Sequence, residues 1–412
     1  MTLTREITAE SLAVASSTLV GAMCNGMMIA SIAISVFIGQ IATDNQWDRA
    51  RIGGAVTLLY MGMAIGAPVF GRMVDQRGSR AVLLPLTAVS GLILASFSFT
   101  GRSLLLFYVA HLLLGVAQPG AVAYSKLLST WFFRYRGVAL ATLGVGTFVA
   151  QVAVPPIARS LQNALGWHGA YRALALAELL IALPVLFTFF RERTSTSAGV
   201  AAAQLQEVRP DGAPVINVRE AISAETYWLL VGAQVAGLFA FMGTTTHAIG
   251  IMTERGVTPS MAVWGLSIFA AGGLVAQLLT GYLLDRFDTP RVIVPFALGS
   301  LASLVLLQVA HGEATVLAAI VLFGIGCGGQ TSISSYFTTR YFGVRNFSTI
   351  YGSLFPILLL LGAPAPIVIG AIFDASGSYN LGLIALEVAI ASSIVCFWYL
   401  GPYPYPVTEA AQ

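Results

Sequence analysis

Lys126 is the only lysine of the chain, and it follows Tyr124 and Ser125 inside an otherwise apolar run. His247 follows Thr244, Thr245 and Thr246 in a second such run. A cation or an imidazole in apolar surroundings is costly unless it binds, pairs or carries a proton. Two readings of each stay open. Lys126 either binds an anion or extends its ammonium to an interface, and His247 either binds an anion or moves a proton, or else packs through hydrogen bonds. Around them lies a set of neutral hydrogen-bonding residues in apolar runs: Asn25, Gln118, Tyr124, Gln151, Gln277, Gln330, Ser332, Tyr336 and Tyr351. The recurrence of glutamine says more than any single member. It suggests a cavity that binds by hydrogen bonds with little fixed charge. Glu178 and Glu387 also fall in apolar runs and read as buried pairing groups. Arg159 and Arg172 read as interface anchors, and His111 has an apolar setting with less to suggest chemistry.

The elements that carry these residues follow from composition. The 412 residues are 57% hydrophobic and 9% charged, with a net charge of +3. Soluble domains carry about 25% charged residues, so lipid must be the main solvent here. The small net charge implies no nucleic-acid partner. Cys24, Cys327 and Cys396 show no disulfide framework, and neither they nor the four histidines have metal-ligand spacing. No nucleophile–base pair, metal motif or phosphate loop suggests an enzyme or a cofactor. The first apolar run is too long for a cleavable signal and reads as an uncleaved membrane helix.

A helix needs about 20 apolar residues to cross the hydrocarbon. Twelve runs meet this, at 12–41, 52–73, 81–100, 104–128, 137–161, 170–190, 224–252, 262–284, 291–310, 314–336, 348–372 and 381–400. The expected fold class is therefore an all-α membrane protein of twelve transmembrane helices. Its parts are an N-terminal six-helix bundle (1–190), a polar cytoplasmic linker (191–223) and a C-terminal six-helix bundle with a short tail (224–412). Arginines cluster in the loops of one side (Arg5, Arg72, Arg77, Arg80, Arg134, Arg136, Arg191, Arg193, Arg209, Arg219, Arg286, Arg291, Arg340, Arg345), with only Arg49, Arg51, Arg102 and Arg255 on the other. The positive-inside rule then puts both termini in the cytoplasm.

The halves repeat at an offset of 210 residues: Gly71 and Asp75 match Gly281 and Asp285, Phe132 matches Phe342, and Pro156 matches Pro366. Halves repeated along the membrane normal, with a site between them, are a known plan for carriers. After the second run the chain reads Gly71-Arg72-Met73-Val74-Asp75-Gln76-Arg77-Gly78-Ser79-Arg80, with a degenerate copy at Gly281-Tyr282-Leu283-Leu284-Asp285-Arg286-Phe287-Asp288. Gly71 is expected to admit a neighbouring helix. Asp75 is expected to cap a helix start and to accept from nearby arginines. Gly71, Asp75, Arg77, Arg80, Asp285 and Arg286 together read as a gate.

This loop resembles the helix 2–3 signature of the major facilitator superfamily. Further stretches are similar to its bacterial monocarboxylate-porter-like and oxalate/formate-antiporter-like branch: Trp47–Ala50, Trp131–Gly137, Gly166–Arg172, Arg340–Val344 with Arg345, Ile350–Gly352 and Asp374–Tyr379. In the fifth run, Val154-Pro155-Pro156-Ile157-Ala158 stands where proton-driven drug exporters share a Gly-Pro pattern. The prolines there are expected to break or bend the helix. The resemblance implies two six-helix bundles and alternating access in the plasma membrane. It also implies a small organic-acid solute, proton coupling as an option, and a monomer. It further implies an arginine four residues before the glycine of the second loop motif, where this chain has Gln277. Acidic residues expected after a glycine pair are replaced by Gln330, Thr331 and Ser332. Arginine binds carboxylate bidentately and with charge assistance, which a glutamine amide does not. That exchange keeps a carrier of neutral or amphipathic solutes as the alternative.

Overall fold

The computed structural model describes residues 8–118, 120–132, 136–192, 218–287, 289–329, 333–342 and 347–403. All the regular elements among them are helical. In chain order they are α1 (Ala9–Met23), α2 (Gly26–Asn45), α3 (Arg49–Arg77), α4 (Ser79–Ser96), α5 (Leu104–Val116), α6 (Gly120–Trp131), α7 (Arg136–Ala177), α8 (Leu183–Phe189), α9 (Val218–Ser223), α10 (Glu225–Glu254), α11 (Pro259–Arg286), α12 (Val294–Val309), α13 (Glu313–Gly328), α14 (Ile333–Phe342), α15 (Phe347–Gly362), α16 (Ala365–Ser376) and α17 (Asn380–Tyr399).

Nine helical stretches among the described residues are long and apolar enough to cross a membrane. One of them, Thr142–Phe189, has 48 residues and so holds two crossings. It divides at Gly166, whose φ of 65° and ψ of 173° are not helical. The shorter apolar helices α5 and α13 are each followed by another helix, α6 and α14, which together complete the runs expected at 104–128 and 314–336. The total is the twelve expected spans. Large apolar side chains such as Leu92, Phe99, Leu105, Leu180, Val309 and Val388 stay exposed, as lipid-facing groups do.

Two sequence expectations need correction. The run 12–41 is not one helix: α1 closes at Cys24 (φ −98°, ψ 24°) and α2 restarts at Gly26. Pro155 and Pro156 sit inside continuous helix and do not break it; the break falls at Gly166. A proline costs one backbone hydrogen bond, whereas a glycine at positive φ interrupts the ladder altogether.

Contacts divide the chain into two compact units, Met1–Phe37 with Leu58–Asp211, and Ile38–Thr57 with Gly212–Gln412. In the first, α1 packs on α7 and α8, and α4 on α7. Val14, Val74, Leu83, Tyr124, Leu128, Trp131, Leu186 and Phe190 belong to one buried cluster there. Glycines let α3 and α5 touch backbone to backbone. A Cβ on Gly62 would lie 2.2 Å from the Leu112 carbonyl oxygen, and one on Gly115 would lie 1.9 Å from that of Leu59. In the second unit α10 packs on α15 and α17, and α11 on α13. The glycine seam returns there, with Gly324 against the Phe269 carbonyl and Gly328 against that of Gly273, each at 2.2 Å from a built Cβ. Small residues at such seams are how helices associate closely in lipid.

Candidate functional site

Two polar networks stand out, one in each unit. The first grows from the break between α1 and α2. A helix start leaves backbone N–H groups without partners, and here the half-buried Asn25 and the buried Glu178 take two of them. Asn25 Oδ1 accepts from Met28 N at 3.1 Å, and Glu178 Oε1 accepts from Gly26 N at 3.1 Å. Asn25 Nδ2 donates to Gln118 Oε1 at 2.7 Å, and Gln118 Nε2 donates to Ser90 Oγ at 3.2 Å. Glu178 opens a π-helical turn, Glu178–Ala182, between α7 and α8. Gln118 lies in the gap that separates α5 from α6. The network is thus assembled from irregular backbone in three spans. Tyr124 is buried beside it, edge-on to Phe190 at 5.6 Å between ring centres.

The second network joins segment 38–57 to the helices of the second unit. Asp374, at the end of α16, accepts from the backbone N–H of Arg49 at 3.2 Å and of Ala50 at 2.9 Å. It thereby caps the start of α3 from another part of the chain. The Arg49 guanidinium lies over the Phe373 ring at 4.1 Å and donates to the Tyr379 hydroxyl. Tyr379 OH lies 3.3 Å from His247 Nδ1, and His247 Nε2 lies 3.0 Å from the Pro366 carbonyl. A carbonyl only accepts, so Nε2 carries the hydrogen and Nδ1 accepts from Tyr379. The bonds then run in one direction, from Arg49 through Tyr379 and His247 to Pro366. Glu254 accepts from Ser378 Oγ at 2.5 Å and from Tyr379 N at 2.9 Å, fixing the turn that presents the phenol. Tyr379 lies between two spans, and its burial pushes the phenol up to about 12 against the pull of Arg49.

The structure joins Asn25 with Gln118, and other expected pathway residues have the following contacts. Lys126 Nζ donates to the Val74 carbonyl at 2.9 Å. Tyr336 OH donates to the Leu284 carbonyl at 2.9 Å, and Tyr351 stacks on Phe355 at 5.6 Å. Gln151 and Gln277 are half-buried. His247 is fully buried with both ring nitrogens engaged, so in this state it is a hydrogen-bonded histidine. Gln330 and Ser332 lie outside the described residues. Glu387 accepts from Gln308 Nε2 at 2.6 Å, as a pairing group would.

Of the expected gate residues, the side chains of Asp75 and Asp285 lie outside the description. Arg77 and Arg286 are exposed. Among the described residues nothing comes within 4 Å of a Cβ built on Gly71. The start of α4 is capped by Glu192, whose Oε1 accepts from Arg80 N at 2.9 Å beside Gly78 at φ 87°. Arg80 Nη2 donates to the Phe187 carbonyl at 2.7 Å. Sequence reasoning passed over Arg49, Asp374, Tyr379 and Glu254 as site residues. For Arg49, Asp374 and Tyr379 a signal was present in the stretches Trp47–Ala50 and Asp374–Tyr379, which carried the family resemblance; Glu254 lies outside both.

Twelve apolar spans, two halves in repeat, and polar networks at helix ends define a multi-pass membrane transporter. The family model described as Major Facilitator Superfamily matches residues 18–353 and 229–412, and the chain belongs to that superfamily. It is therefore a transporter and not an enzyme. It is similar to the 4-hydroxybenzoate transporter PcaK of Acinetobacter baylyi, with 23% identity covering 78% of this chain and 79% of that protein. It is also similar to monocarboxylate transporter 13 of Rattus norvegicus, with 23% identity covering 85% of this chain and 79% of the relative. The xylose transporter XylE from E. coli, solved in a partially occluded inward-open conformation, shares the fold at a TM-score of 0.75. It is 13% identical, over 97% of this chain and 100% of that one.

Proposed function

We propose that the chain is a secondary carrier of a small, monocarboxylate-like organic acid, driven by solute gradients. The observation that carries this reading is similarity over 78% and 85% of the chain to a 4-hydroxybenzoate and a monocarboxylate transporter. The proposed moving parts are residues 1–190 and 224–412, joined by 191–223. The proposed setting is the plasma membrane with both termini cytoplasmic, which the arginine distribution supports. Lys126 supplies the cation for the carboxylate, and Asn25, Gln118 and the remaining amides and phenols supply hydrogen bonds. The network of Arg49, Asp374, Tyr379, His247 and Glu254 acts as an outer latch that closes on segment 38–57 and opens in the alternate state. Gly71, Asp75, Arg77, Arg80, Asp285 and Arg286 keep the role of an inner gate.

Gln277 in place of a carboxylate-binding arginine favours the second reading, a carrier of neutral or amphipathic solutes. Proteoliposome uptake of labelled 4-hydroxybenzoate, with and without an imposed pH gradient, separates the two. Competition by carboxylates alone, lost in Lys126→Ala, supports the organic-acid reading. Competition by neutral analogues alone refutes it. Uptake indifferent to the gradient removes proton coupling.

A further inference from the structure

Glu178 is 1% exposed, in a span, and no described cation pairs with it. Its Oε1 takes the Gly26 N–H, and its Oε2 is buried beside the Ser90 hydroxyl without a hydrogen bond of ordinary geometry. An ionised carboxylate held this way in low dielectric costs several kcal/mol unless it is compensated. A plain packing position would be filled by an apolar side chain or a completed pair. Three independent irregularities converge on this one group. The first is the interruption of the first span at Cys24 and Asn25. The second is the π-helical turn that begins at Glu178 itself, a feature frequent at functional sites. The third is the requirement for glycine at position 26, where a Cβ would lie 2.3 Å from Glu178 Oε2 and 2.5 Å from Ser90 Oγ.

The surroundings accommodate both charge states. Ser90 Oγ lies beside the carboxyl, both oxygens crowding the Gly26 Cβ position, so a neutral carboxyl has an acceptor there for its O–H. When it is ionised, the Ser90 hydroxyl and the N–H groups at the start of α2 are donors, and the α2 dipole favours negative charge. The titratable groups that face it are the Cys24 thiol at the break and the Tyr124 hydroxyl on α6. The facing residue of α4 is Ser90 and that of the α5–α6 gap is Gln118, neither titratable. Ser90 then transmits the state of the carboxyl onward, because its oxygen accepts from Gln118, which accepts from Asn25.

We propose that Glu178 is a proton-binding carboxyl whose charge state sets the hydrogen bonds at the α1–α2 break, and through Ser90 and Gln118 the orientation of Asn25. The chemistry is the transfer of one proton between water and the carboxylate, with no other bond made or broken. This deepens the transport reading by naming the residue through which a proton gradient is felt. It rests on that reading only for the link to a solute.

The test is an infrared titration of the full chain in lipid, from about pH 4 to about pH 9, a range that spans documented buried carboxyls. The carbonyl stretch of a protonated carboxyl should appear as pH falls, shift in heavy water, and vanish in Glu178→Gln while surviving in Glu387→Gln. Ser90→Ala keeps the carboxyl but removes a donor to its ionised form. It should raise the midpoint by about one pH unit, a tenfold change in proton affinity. Because this variant needs no change at Glu178, it decides the matter even where Glu178→Gln fails to fold. No titrating band, a band indifferent to Glu178→Gln, or a midpoint unmoved by Ser90→Ala overturns the proposal. No solute is present, so failure of the organic-acid reading leaves the titration intact, and failure of the titration leaves solute uptake intact.

Discussion

Gly53→Ala should open the outer latch without unfolding the protein. A Cβ built on Gly53 lies 2.5 Å from the Pro366 carbonyl oxygen and 2.7 Å from its carbon. Both are backbone atoms that no rotamer change can move. Ordinary contact needs about 3.5–4.0 Å, so α3 must withdraw from α16 by about 1 Å. Gly370 faces the other way across the same seam, with a Cβ position 2.7 Å from Ala50 N, so the seam offers no room to slide. The withdrawal strains the bond from Thr57 Oγ1 to the Ala363 carbonyl at 2.7 Å and the two N–H bonds to Asp374. Overpacking of this kind costs about 1–3 kcal/mol. If the contact exists in only one of two states, that cost shifts their ratio about 5- to 150-fold. Spin labels on Thr43→Cys and Ala375→Cys, both exposed positions, would report it. The background would carry Ser for Cys24, Cys327 and Cys396. The expected result is a longer distance population that grows with Gly53→Ala at a nearly unchanged melting temperature. A fall in melting temperature with an unchanged distance distribution would show that the contact is permanent packing and refute the latch.

Three further outcomes follow from the same geometry. Asp374→Ala removes both acceptors at the start of α3 and, by the usual worth of a capping carboxylate, should shift the same distance distribution by about 1 kcal/mol; Asp374→Asn, with one acceptor oxygen left, should shift it less. The Tyr379 phenol is pushed up from 10.0 to about 12, so the folded state favours the neutral form, and the stability this adds is complete below pH 10 and lost as pH rises through about 12; an alkaline titration of the spin-label distance should show a loosening step in that window, absent in Tyr379→Phe. Gly115→Val places a Cβ 1.9 Å from the Leu59 carbonyl and should cost about 3 kcal/mol or more, read as loss of the monodisperse peak in size-exclusion chromatography; a normal peak and melting temperature would mean the α3–α5 seam is not tight.

What could be read in the residues was whatever depends on local chain chemistry. Apolar runs of membrane length located the spans, because each helix must satisfy its own backbone in lipid. The 210-residue offset and the Gly71–Arg80 loop identified the superfamily, because motif residues stay adjacent in sequence. What could not be read was pairing between distant residues. Asp374 meets the Arg49 and Ala50 amides across 325 and 324 positions, and Glu178 meets Gly26 across 152. The apolar run around Glu178 marked it as buried, but nothing in sequence named its partner, and Asp374 does not differ in sequence from a carboxylate that faces water. The break at Cys24 and Asn25 left one local signal, the Asn25-Gly26 pair in an otherwise apolar run; what the sequence could not show is that Glu178, Gln118 and Ser90, arriving from other spans, give the freed backbone and side-chain groups partners. The sequence therefore determined by itself that this chain is a twelve-span carrier in two repeated halves. The tertiary structure decided which polar groups are joined, because in lipid an unpartnered polar group is too costly to leave and its partner is set by packing rather than by proximity along the chain.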